Sequence, residues 1–257
     1  MNKMQISTAA AILFATGICA AQNLNALEEH VTFQISFEDS VEVDRAEGEV
    51  ALQQGKHEDI QDGYSYVEGV KGKALYNTNP RGHVRRYQMK DNINFEQPGT
   101  VSLWIKPVDW KKLTPDSPKQ KNGRYNTITT PFFMTGWSKT GYIVLERACP
   151  EFLGRSEMVR LLFPAFKNIR SYYSKEFKWE DNKWYHIVLT WSGYNFTVYI
   201  NGENVLAAAH KEQLKQSDMH KNFEVRPNAG MAMDEFTIYN KALSPEEIKA
   251  LYDSMKK

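Results

Sequence analysis

Cysteine is nearly missing from this chain. Only Cys19 and Cys149 occur among 257 residues, so a chain that loses its N-terminal segment has one thiol and no internal disulfide. Its stability must come from a packed core. Charge of one sign is missing too: 32 Lys and Arg against 31 Asp and Glu leave a formal charge of +1. No global field draws such a protein onto nucleic acid. Also absent is any run of ~20 apolar residues, the length a membrane span requires. What is abundant is aromatic: 13 Phe, 13 Tyr and 6 Trp, which suits β-rich cores or surfaces that stack on sugar rings.

The first residues read as processing information. Lys3 stands in a short polar start, an apolar stretch runs from Ala9 to Ala15, and small residues follow through Ala20 and Ala21. This is the pattern of a secretory signal peptide over 1–21, and it predicts export to the periplasm or the cell exterior with no membrane insertion after removal. Cys19 follows Ile18 instead of a small residue, which argues against a lipid-modified cysteine. Cleavage after Ala21 would leave 236 residues with no net charge. Residues 22–257 then form one domain, large enough to bury roughly 70% of its unfolded surface.

Periodicity predicts strands with one helix at the end. Alternating runs at Thr32 to Phe37, Gly99 to Ile105, Gly141 to Glu146, Trp184 to Trp191 and Phe196 to Ile200 are bounded by Gly, Pro, Asn and Asp. In Trp184 to Trp191, Tyr185, Ile187, Leu189 and Trp191 share one face. Trp184, His186, Val188 and Thr190 share the other, so both faces are largely apolar and His186 reads as a core histidine. Ser192-Gly193 and Asn201-Gly202 mark successive hairpin turns. Lys111 to Arg124 reads as a long loop. Near the end Ser244, Pro245 and Glu247 make a capping box before an apolar stripe of Ile248, Leu251 and Tyr252.

Several stretches in order resemble the laminin G-like jelly roll of the concanavalin A-like lectin and glucanase superfamily. They are Phe37-Glu38-Asp39, the run from Val67 to Leu75, Pro98 to Pro107, Trp184 to Trp191 with Val198 to Gly202, and Met233 to Ile248. The resemblance implies an all-β fold, two antiparallel sheets packed ~10 Å apart with a short C-terminal helix.

It also implies that some members hold a structural calcium between the first and last strands. The matching positions here are Glu38, Asp39 and Asp234, with backbone carbonyls completing the roughly 6 to 8 oxygens that calcium takes. Retaining glucanases of the superfamily carry the spacing seen in Glu42-x-Asp44-x-x-Glu47, where paired carboxylates stand ~5 to 5.5 Å apart. Here the motif lacks interleaved apolar residues and follows the first strand directly, so a solvated acidic loop is expected. Arg155 to Arg160 is similar to an Arg-rich strand of jelly-roll alginate lyases, but no Gln-Ile-His or Tyr-Lys-Tyr motif accompanies it.

A basic and aromatic surface is the remaining candidate. Arg81, His83, Arg85, Arg86 and Lys90 fall in one segment, and Arg155, Arg160, Lys167 and Arg170 precede Tyr172 and Tyr173. Arginine forks suit carboxylates and sulfates, so an anionic glycan is expected if the two segments share the concave sheet. Trp110, Trp137, Tyr142, Tyr172 and Tyr173 are the aromatic candidates for that face. The functional expectation is a secreted, non-catalytic module that binds a glycan or a cell-surface protein. The alternatives are a glycan-cleaving hydrolase or lyase on the same sandwich and a structural or adhesion component, because the fold alone does not choose.

Overall fold

The computed structural model describes residues 24–50, 64–78, 85–110, 128–136, 141–149, 157–163, 170–225, 227 and 230–256. The expected signal segment 1–21, the expected loop 111–124, and Arg81, His83, Trp137, Arg155 and Lys167 lie outside these residues.

The described strands are β1 (Val31–Ile35), β2 (Arg45–Ala46), β3 (Tyr64–Glu68), β4 (Lys73–Asn77), β5 (Arg85–Gln88), β6 (Gly99–Pro107), β7 (Ile128–Thr135) and β8 (Val144–Cys149). The chain continues through β9 (Met158–Phe163), β10 (Arg170–Tyr173), β11 (Tyr185–Ser192), β12 (Asn195–Ile200), β13 (Glu203–Ala209), β14 (Asn222–Val225) and β15 (Met231–Tyr239), and ends in helix α1 (Pro245–Met255). Two antiparallel sheets result. One runs β13-β12-β11-β6-β15-β1-β2, with β4 also paired to β15 and β3 to β4; the other runs β10-β9-β8-β7-β14-β5. This is the jelly-roll sandwich the sequence predicts.

Alternation explains the core. Tyr185, Ile187, Leu189 and Trp191 of β11 point between the sheets with Phe196, Val198 and Ile200 of β12. Where β1 and β15 face β5 and β14, Phe33 packs against Tyr87 at 4.9 Å, Phe223 at 5.0 Å and Phe236 at 6.1 Å, so rings from both sheets interlock. The β12–β13 turn places Asn201 at φ 53° and Gly202 at φ 82°, the positive dihedrals that a two-residue hairpin needs and that Asn-Gly supplies.

The other face of β11 is covered by α1. Ser244 accepts from Glu247 N, and Glu247 accepts from Ser244 N at 2.8 Å, closing the capping box with Pro245 at the first helical position. Ile248 and Leu251 are buried against Val188, Tyr199 and Tyr239, each worth roughly 1.5–3 kcal/mol of apolar burial. Beside them His186 stacks on Trp104 at 4.9 Å and Trp104 on Tyr252 at 5.7 Å. Among the described residues no helix is long and apolar enough to cross a membrane.

Candidate functional site

The described parts of the two basic segments, in β5 and in β9 and β10, lie in one sheet. They occupy its opposite edges, β5 and β10, five interstrand steps apart, or about 24 Å. Arg86 and Arg160 project from the outer face of this sheet, and each meets a buried acid of a neighbouring strand. Arg86 Nε donates to Glu224 Oε1 at 3.0 Å, and Arg160 pairs with Glu146 while bonding Tyr173. Between the pairs lies a small apolar cluster of Met134, Tyr142, Val144 and Leu162. Arg86 and Arg160 are thus each matched to an acid of the sheet, and the other members of the expected basic surface, Arg81, His83, Arg155 and Lys167, lie outside the described residues. Arg85 takes its place in β5 opposite Val225.

Two aromatic expectations are corrected. Trp110 is only 5% exposed: it packs edge-on to Trp179 at 5.3 Å, and the Arg147 guanidinium lies 4.9 Å from its ring. Tyr172 is turned toward the core, edge-on to Phe163 at 5.9 Å, with its hydroxyl donating to Ala209 O at 2.8 Å. Tyr142 faces outward but is buried, and burial pushes its hydroxyl pKa up against the opposing effect of Arg160. Half-exposed Tyr173 is left as the aromatic candidate on this face among the described residues.

The early and late carboxylates meet where β15 divides its neighbours. Its first residues, Met231 to Met233, pair with β4, and its last, Phe236 to Tyr239, pair with β1. At the division the register against β6 shifts and Glu235 adopts φ 46°, a bulge that turns Asp234 and Glu235 toward the β3–β4 turn. Asp234 Oδ2 accepts from Val70 N at 2.7 Å and Lys71 N at 3.2 Å, and Oδ1 accepts from Glu235 N at 2.9 Å. Glu38 accepts from Lys73 N at 3.1 Å, and Asp39 pairs with the Lys73 ammonium. A Cβ at Gly69 would come within 2.5 Å of Asp234 Oδ2, which explains the glycine of that signature. Burial raises the Asp234 pKa to about 7, with the Glu235 charge adding and the amides opposing. As arranged, Asp234, Glu38 and Asp39 are held by N–H donors and by Lys73, while the buried Glu235 Oε1 has Lys71 Nζ at 3.7 Å and no hydrogen-bond partner; among the described residues no three Asp, Glu, His or Cys side chains form a metal-ligating set.

The members of the acidic triplet have separate surroundings. Glu42 is exposed, Asp44 Oδ2 accepts from Ser36 N at 2.5 Å, and Glu47 borders a different feature. That feature is an open cleft of about 350 Å³ at the end of the sandwich where β1 begins, within the ~300–1,000 Å³ range of small-ligand sites. Thr32, Asn92, Trp191 and Tyr239 form its buried floor, and Glu47, Lys90, Asp91, Asn94 and Asn240 its exposed rim. The loop beside it is held firmly. Asn92 accepts from Gly48 N at 2.9 Å and donates to Gln88 O at 2.9 Å, while Trp191 Nε1 donates to Gln97 O at 2.7 Å and Asn94 O at 3.2 Å. Sequence reasoning named Glu47 and Lys90 for other reasons and missed the rest, because the cleft gathers residues from segments far apart in the chain without any spacing motif.

A family model described as the concanavalin A-like lectin/glucanases superfamily matches residues 85–249, 165 of the chain's 257 residues. The chain belongs to this superfamily. No curated protein matches it. Among solved structures it is similar to the binding domain of Paraclostridial Mosquitocidal Protein 1, with TM-score 0.61 and 19% identity over 89% of this chain and 53% of that one. It is also similar to domain 4 of AbnA, an extracellular GH43 arabinanase from Geobacillus stearothermophilus in complex with arabinotriose, with TM-score 0.58 and 19% identity over 87% of this chain and 99% of that one. The binding domain of botulinum neurotoxin serotype D matches with TM-score 0.58 and 15% identity, over 89% of this chain and 53% of that one. The chain thus spans about half the length of the two toxin domains and nearly all of the arabinanase module. At these identities the likeness establishes the jelly-roll fold, which is shared with binding domains.

Proposed function

We propose that this protein is a secreted, non-catalytic module that binds glycan at the cell exterior. The observation that carries the reading is the cleft at the β1 end: preformed, open to solvent and rimmed by hydrogen-bonding side chains. The separation of roles among the carboxylates supports the non-catalytic part. Asp44 caps a backbone amide, while Glu146 and Glu224 each hold an arginine, so these three carboxylates are engaged in holding the fold and not in the acid and base pairing that glycoside cleavage uses. Export rests on the pattern of residues 1–21. The binding domains that share the fold support the reading by analogy.

A glycan array carrying neutral, uronic and sulfated polysaccharides tests it, run beside a turnover assay on β-glucan and alginate. Binding without product release is expected. Product release that disappears in the Glu42→Gln/Glu47→Gln variant would instead establish an enzyme, and an array with no bound glycan would favour a protein partner.

A further inference from the structure

The cleft rim has a polarity of its own. Asn94 Oδ1 accepts from Glu96 N at 2.9 Å, Gln216 Oε1 accepts from Phe95 N at 3.2 Å, and Asn240 Oδ1 lies 3.1 Å from His30 Nδ1. A backbone N–H can only meet the oxygen end of a carboxamide, so the orientation of Asn94 and Gln216 is dictated by their partners. All three line the cleft, and with their oxygens engaged the group each has left to offer is an NH2 donor. Glu47 and Asp91 stand on the same rim as acceptors, and Lys90 adds one more donor.

We propose that this cleft takes a neutral sugar ring through its hydroxyls, so that the carboxamides of Asn94, Gln216 and Asn240 bind hydroxyl oxygens while Glu47 and Asp91 accept hydroxyl protons. The proposal rests on the glycan-binding reading above and gives it a site and a ligand class. A hydroxyl both donates and accepts, so adjacent hydroxyls on a ring match a wall of mixed donors and acceptors. An anionic sugar meets two rim carboxylates against one ammonium and is repelled. An apolar ligand would strand the NH2 donors without partners. The bonds that pin the loop to Trp191 and Asn92 mean that little ordering is left to be done on binding.

Titration calorimetry on the full protein with neutral trisaccharides of glucose, mannose, galactose and arabinose tests this, with trigalacturonate as the anionic counterpart. The Asn94→Asp and Gln216→Glu substitutions keep the oxygen that each backbone N–H needs and replace the donor by a carboxylate of the same shape. Each is expected to weaken binding of the preferred neutral trisaccharide by about tenfold or more, the effect of one lost hydrogen bond with an acceptor set against an acceptor, with the melting midpoint unchanged. In the wild-type protein, the side-chain NH2 resonances of Asn94, Gln216 and Asn240 should shift in NMR spectra as the same sugar is added, a readout that does not depend on any variant folding. Glycan binding that leaves those resonances and both variants unaffected would overturn the cleft assignment and spare the glycan-binding module. Preference for trigalacturonate would overturn the neutral ligand class. Failure of the wild type to bind any glycan would overturn both readings.

Discussion

His186 shows how one side chain can set a pH limit on the whole fold. It lies 1% exposed under α1, with Nε2 2.8 Å from Ser102 Oγ and no hydrogen bond at Nδ1, and burial lowers its pKa to about 3. In the unfolded chain the ring titrates near ~6.5. Between these values the unfolded state binds the extra proton, so stability is complete above about pH 6.5 and is lost as pH falls toward 3. Asp234, whose pKa is raised, acts in the opposite sense over the same range, so the part due to His186 is read as the difference in slope between wild type and His186→Gln in chemical denaturation at pH 7 and pH 5, expected at up to ~1.4 kcal/mol per pH unit. A slope unchanged in the variant would assign the pH dependence to other groups. The position of His186 in the middle of an apolar strand made its core role legible in the sequence. Its stack between Trp104 and the helix was not, because it depends on which face α1 covers.

At the scale of elements, the outer face of the six-stranded sheet is held by acid–base pairs across strands. Arg160 and Glu146 are 18% and 4% exposed, and removing one member of a buried pair leaves the other desolvated. Arg160→Met should therefore cost roughly 3 kcal/mol of unfolding free energy, whereas the Arg160→Met/Glu146→Met double variant should fall within about 1 kcal/mol of wild type. Equal losses in the single and double variants would mean that the strands are held by other contacts. Alternation and turn chemistry made β11, β12, the Asn201-Gly202 turn and the α1 cap readable, since each is a local signal. Trp110 and Tyr172 were misassigned to a binding face for the complementary reason: an aromatic side chain in a short strand, or just past a strand's end as Trp110 is, carries no local mark of which side the second sheet will cover. Pairing between arginines and acids was equally hidden, because Glu224 lies 138 positions from Arg86.

For the whole molecule, the division of β15 between β4 and β1 decides how the carboxylate corner behaves. Asp234, Glu38 and Asp39 are occupied by backbone amides and by Lys73, so EDTA is expected to leave the thermal midpoint unchanged. A midpoint lowered by the chelator and restored by calcium would show that a cation displaces those donors. The fold as a whole was legible from ordered signatures spread along the chain, while the cleft became visible only once residues near 32, 47, 92, 216 and 240 were brought to one end of the sandwich. The place of β15 has one more consequence, for the order of events during folding. It is the last strand in the chain, yet it lies inside the nine-stranded sheet and supplies the register for β6, β1 and β4. β1 can pair with β2 and β4 with β3 beforehand, but neither joins β6 in one sheet until residues 231–239 are available. Closure of the nine-stranded sheet is therefore a late, long-range and intrinsically slow event, which follows the local hairpins on either side of it.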